Sequence, residues 1–152
     1  MSVTFSFSGT SVAEFQEILG ANVDTMLAGA TDAAIELAEM GAEEARRRVP
    51  VKTGDLRASI KFRKLEATER FKIIAVWGTS KEYSEYVEFG TGPVGRDTPV
   101  PGKYPGEIGY THDWDHGMVA QPYMYPSSEY VATQIEEVLK RCIQRRMPNG
   151  GK

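Results

Sequence analysis

One cysteine, Cys142, and two histidines are all the thiol and imidazole side chains in this chain of 152 residues. A lone cysteine excludes a disulfide within one chain and fits a reducing cytoplasm. An excess of positive charge is also missing. Eighteen Lys and Arg against 21 Asp and Glu leave a formal net charge of −3, which gives no general electrostatic case for nucleic acid. No window approaches the roughly 20 apolar residues of a membrane span. The opening Met-Ser-Val-Thr-Phe-Ser-Phe has no basic start and no long apolar run, so no signal peptide is expected. Walker-type glycine loops and Gly-x-Ser-x-Gly elbows are absent too. What remains is 41% hydrophobic and 26% charged, the composition of an ordinary globular protein. The length predicts one domain over residues 1–152.

Periodicity supplies the elements. Val3, Phe5 and Phe7 alternate with polar residues, which predicts a short half-buried strand. Ser11 and Glu14 have capping-box spacing ahead of a first helix that Gly20 is expected to stop. Asn22 then caps a second, much longer helix reaching about Val49, and Pro50 ends it. Gly29, Gly41 and several alanines give that helix a smooth face that another backbone can approach closely. Residues 58–65 and 71–77 read as a hairpin, the second strand apolar on both faces and therefore central. Ser80 is expected to cap a short helix closed by Gly90. From Gly92 to Pro122 six glycines and five prolines predict a long irregular loop, yet it carries Tyr104, Tyr110, Trp114 and, just beyond, Tyr123. Loops of this length are usually functional or disordered, and disordered linkers are poor in aromatics. These rings therefore want a covering surface, for which a neighbouring subunit is one candidate. A final helix over about residues 127–147 carries an apolar stripe of Val131, Ile135, Val138, Leu139, Cys142 and Ile143. Residues 148–152 are expected to fray. The fold class is α+β: a small antiparallel sheet packed by the long helix and the C-terminal helix.

Three connectors hold the distinctive residues. They are Pro-Val-Lys-Thr-Gly-Asp-Leu-Arg-Ala-Ser-Ile at 50–60, Tyr-Ser-Glu-Tyr-Val-Glu-Phe-Gly-Thr at 83–91, and Ala-Gln-Pro-Tyr-Met-Tyr-Pro at 120–126. In the first, Thr53 can bond nearby backbone amides, Gly54 permits a positive φ, Leu56 drops into the core and Arg57 points outward. None of the three holds a nucleophile–base pair or a full ligand set. The cluster His112, Asp113, Asp115 and His116 offers donors for a divalent ion, but it sits in a glycine-rich loop with no rigid frame. A polar loop anchored by Trp114 is the plainer reading. Arg46, Arg47 and Arg48 suit a helix C-terminus better than a phosphate contact. An Asp55 and Glu88 carboxylate pair has no spacing in its support.

Taken together, the three connectors resemble the tail-component family of tailed phages and prophages, typified by a small neck or tail-completion protein of lambda-like siphophages. The resemblance covers about residues 21–146, and it rests on motif order and spacing rather than on one motif. It implies a structural role at or near the head–tail junction of the virion, assembly in the bacterial host, and six-fold rings with other neck and tail proteins as partners. It implies no enzymatic activity, and we assign no catalytic, cofactor-binding or metal residue. No small-molecule substrate, membrane or nucleic-acid partner is expected. The segment from Gly92 to Val119 is longer than the family's usual connection. The contact residues expected are Tyr86, Phe89, Tyr104, Tyr110 and Trp114, with the motif turn at Thr53, Gly54, Leu56 and Arg57. Two rival readings are a metal-dependent enzyme built on residues 112–116 and a DNA-binding accessory factor built on the arginine runs.

Overall fold

A single α-helix, α1, runs from Val12 to Arg48, about 55 Å at 1.5 Å per residue. The computed structural model describes residues 12–66, 72–97 and 117–147. The expected strand at 3–7, Tyr104, Tyr110, Trp114, the 112–116 cluster and the tail at 148–152 lie outside these residues. The expected break at Gly20 does not occur, and Asn22 caps nothing. Gly20 is not among the glycines with positive φ, which a helix stop of that kind requires. A glycine inside a helix costs only about 1 kcal/mol relative to alanine, too little to end an otherwise continuous ladder.

The C-terminal half of α1 is the spine of the core. Helix α5, Met124–Arg146, packs antiparallel along it. Gly29 meets the backbone of Ile143, where an added Cβ would lie 2.7 Å from Cα. Arg146 donates to both oxygens of Asp32 at 2.7 and 3.0 Å, and Arg141 donates to Glu36. Ala33, Ala38, Ala42 and Ala45 are buried. The smooth face of α1 is therefore spent inside the subunit. It carries α5 and Trp77 at close range rather than a neighbouring copy. The α5 stripe is narrower than its periodicity suggested: Val131, Val138 and Cys142 are buried, while Ile135 and Leu139 are 47% and 36% exposed.

Strands β1, Lys61–Leu65, and β2, Ile74–Gly78, pair antiparallel, with Phe62 opposite Trp77. Ala58 and Ser59 belong not to the hairpin but to a short helix, α2, Asp55–Ser59. The second strand is shifted, ending at Gly78 rather than at Trp77. Among the described residues the sheet has two strands, and β2 pairs with β1. Its apolar residues have other work. Trp77 lies over Gly41, whose Cβ would fall 2.6 Å from the indole ring, and its Nε1 donates to Ser127 Oγ at 3.1 Å. One side chain thus ties β2, α1 and α5 together.

Helix α3 spans Ser84–Phe89. Ser80 does not cap it: the helix begins four residues later, and Thr79 Oγ1 instead accepts from the Lys81 amide at 3.1 Å. Gly90, at φ 76°, closes α3. Regular structure does not fade at Gly92, because a further short helix, α4, covers Gly92–Asp97. The main core joins Ala42, Ala45 and Val49 of the α1 end with Leu56, Ile60 and Tyr123, and Phe62, Trp77, Val87 and Met124 pack against it.

Candidate subunit-contact surface

The first connector begins where α1 ends. Arg46 donates from Nε and Nη2 to the Ile60 carbonyl at 3.1 and 2.7 Å, which pins the far side of the turn. Arg48 Nε bonds buried Glu44 at 2.6 Å, and Arg47 Nη1 lies 3.1 Å from the other oxygen of the same carboxylate. The arginine run is thus held by acceptors within the subunit. Gly54 sits at φ 87°, in the left-handed region that favours glycine. Thr53 Oγ1 accepts from the Asp55 amide at 3.3 Å and donates to Asp55 Oδ2 at 3.0 Å. Leu56 enters the core while Arg57 is exposed. Ser59 donates to the Leu56 carbonyl at 2.7 Å and lies 2.5 Å from Thr79 Oγ1, fastening α2 to the end of β2.

The second and third connectors run side by side. Thr91 and Met118 exchange both backbone bonds, at 2.9 and 3.1 Å, and the Gln121 amide donates to the Val87 carbonyl at 2.8 Å. Glycine is required where they touch. A Cβ at Gly90 would meet the Met118 carbonyl at 2.5 Å, and one at Gly117, which has φ 66°, would meet the Thr91 carbonyl at 2.1 Å.

Glu88 locks them together. Its carboxylate is buried and accepts from the amides of Tyr123, Met124 and Tyr125 at 2.7, 2.9 and 2.8 Å. The start of an α-helix leaves its first amides without intrahelical acceptors. Here three are taken by Glu88, and the next residue is Pro126, which has no amide hydrogen. The negative charge also faces the positive end of the helix dipole. This explains why α5 begins at Met124, three residues earlier than expected. Met124, Tyr125 and Pro126 form its first turn rather than an extended strap. Tyr123 itself is fully buried. Burial first, and then the neighbouring Glu88 charge, push its hydroxyl up to about 12, against a lowering by its bond with Ser84.

The outcome is a concave surface of about 620 Å³ walled by residues 50–56, Tyr83, Tyr86, Val87, Met118 and Gln121. Val51 and Tyr83 stand open at its rim, 55% and 41% exposed, beside exposed Lys52, Thr53, Asp55 and Gln121. Thr53, Gly54, Leu56 and Tyr86 line it. Phe89 faces a separate groove on the β2 side, so the structure does not bring Tyr86 and Phe89 to one site. Val51 and Gln121 stand in the connectors without being singled out as contact residues, and Met118 lies outside them, because a half-exposed valine and the far end of a loop carry no periodic signal. Glu88 was weighed only as half of a carboxylate pair. Asp55 is in fact exposed at the turn, and Glu88 is engaged at α5. Among the described residues no three His, Cys, Asp or Glu side chains are grouped to hold a metal ion. Cys142 is buried, and burial, with Glu36 beside it at 3.4 Å, pushes its thiol up, away from nucleophilic reactivity.

The three connectors of this α+β fold thus meet around one concavity. The chain matches the family described as "Bacteriophage HK97-gp10, putative tail-component" over residues 13–90, just over half of its length. It belongs to this family and is a phage structural protein. The match takes in α1, the motif turn, the hairpin and α3, and it ends at Gly90, before α5. No curated protein and no solved structure matches the chain.

Proposed function

We propose that this protein is a ring-forming component of the phage head–tail junction. It completes the tail through contacts between its own copies and with other neck proteins, and it catalyses nothing. The observation that carries this reading is the concavity in which all three connectors meet, with Val51 and Tyr83 left open at its rim. Exposed apolar side chains bordered by polar ones mark protein-contact surfaces. A closed ring needs two different complementary faces on each copy. The concavity is one; Ile135 and Leu139, exposed on the outer side of α5, are suited to the second. The family membership supports the virion as the location, and the rigid framing of the surface by Glu88 and the glycine contacts supports docking without rearrangement. Of the expected contact residues, Tyr86 belongs to the concavity and Phe89 to the groove beside β2; Arg57 of the motif turn lies on its outer side.

The test is a Val51→Glu, Tyr83→Ser double variant supplied to a phage that lacks this gene product. The expected result is a subunit with wild-type circular dichroism that forms no rings by electron microscopy and leaves heads and tails unjoined. Normal rings and full infectivity would refute the assignment of this surface.

A further inference from the structure

We propose that residues 3–7 of one copy add a third strand to the free edge of β2 in a neighbouring copy. This rests on the ring reading above and names the contact that would join the copies. Among the described residues β2 is bonded only to β1, and a sheet edge of this kind is a template for a further strand. A groove of about 620 Å³ runs along it. Five consecutive residues, Ala75 to Thr79, line that groove. No β1 residue lines it, so it borders β2 on the side away from β1. The opposite wall sets Phe89, Tyr123, Met124 and Tyr125 among Ser84, Glu85, Glu88 and Ser128. An occupant must therefore be extended and apolar on one side. Residues 3–7 read Val-Thr-Phe-Ser-Phe, five residues with period-two alternation, the same length as β2.

Reach decides which copy supplies the strand. Trp77 of β2 sits over Gly41, and Val12 lies 29 positions up α1, about 43 Å away at 1.5 Å per residue. Phe7 is five residues before Val12, a tether of at most about 18 Å, and even Val3 extends only about 32 Å. The strand cannot return to its own β2. The register of Gly29 against Ile143 sets the end of α5 near Met26. From there α1 continues for about 21 Å to Val12, away from its own sheet.

The experiment uses the full chain and a Val3→Ser, Phe5→Ser, Phe7→Ser variant. It measures assembly by mass and imaging and β2 amide exchange by mass spectrometry. A synthetic peptide of residues 1–10 is then added to the variant. Expected are at least tenfold weaker assembly of the variant, faster exchange at alternate β2 amides by about 100-fold, and restoration of that protection by the peptide. If rings form and the variant assembles and exchanges like the parent, strand donation is overturned while the ring reading stands. If no rings form but the peptide protects β2, strand addition stands without the ring. If no rings form and the peptide leaves exchange unchanged, both fall.

Discussion

Replacing Glu88 by alanine should cost more stability than replacing any other acidic residue on α3. Three α5 amides donate to its carboxylate at 2.7 to 2.9 Å. Stranding a buried donor costs about 1–3 kcal/mol. The Tyr123 amide is buried and bears the full penalty, while water can partly replace the acceptor at Met124 and Tyr125. The expected loss is therefore about 3–5 kcal/mol, which for a chain of this size lowers Tm by roughly 6–20 °C. Glu88→Gln keeps one oxygen acceptor but turns an amide group toward a remaining donor, for an intermediate loss of about 2 kcal/mol. Glu85→Gln, an exposed carboxylate on the same helix, should stay within about 0.5 kcal/mol of the parent. Urea melts followed by circular dichroism measure all three. Hydrogen exchange should show the first turn of α5 opening in Glu88→Ala before the rest of the helix. If Glu88→Ala unfolds within about 1 kcal/mol of the parent, the carboxylate does not hold the α5 start and the account of the connectors fails.

The same substitution should have opposite signs at two glycines of α1. Gly41→Ala places a Cβ 2.6 Å from the Trp77 ring; overpacking of about 1–3 kcal/mol outweighs a helix-propensity gain of about 1 kcal/mol, giving a net loss in denaturant melts of up to about 2 kcal/mol. Gly20→Ala, with nothing within 4 Å, should gain up to about 1 kcal/mol. Tyr123 gives a pH signature: its folded pKa of about 12 lies above the ordinary 10, so the neutral hydroxyl favours the fold. That contribution is complete below pH 10 and is lost as pH rises from 10 to 12. Tyr123→Phe should flatten the fall in Tm across this window, and an unchanged slope would contradict the burial argument.

Local pattern carried much of this molecule. Helical spacing located the two long helices, alternation placed most of the hairpin, and Pro50, Gly54 and Gly90 marked turns by conformational restrictions that need no partner. Motif order pointed to the phage family before any contact was known. Other features depend on groups distant in the chain. Gly20 reads as a stop, yet a helix continues through it because one glycine's cost is small. Met124 reads as part of a strap, yet it opens α5 because Glu88, 36 residues earlier, accepts its amide. The glycine and alanine face of α1 reads as a subunit contact, yet α5 and Trp77 fill it. The concavity is likewise tertiary in origin. Val51, Tyr83 and Met118 become neighbours only when the Thr91–Met118 pairing and the Glu88 lock bring the loops together, and short-range periodicity cannot encode bonds that join such separated segments.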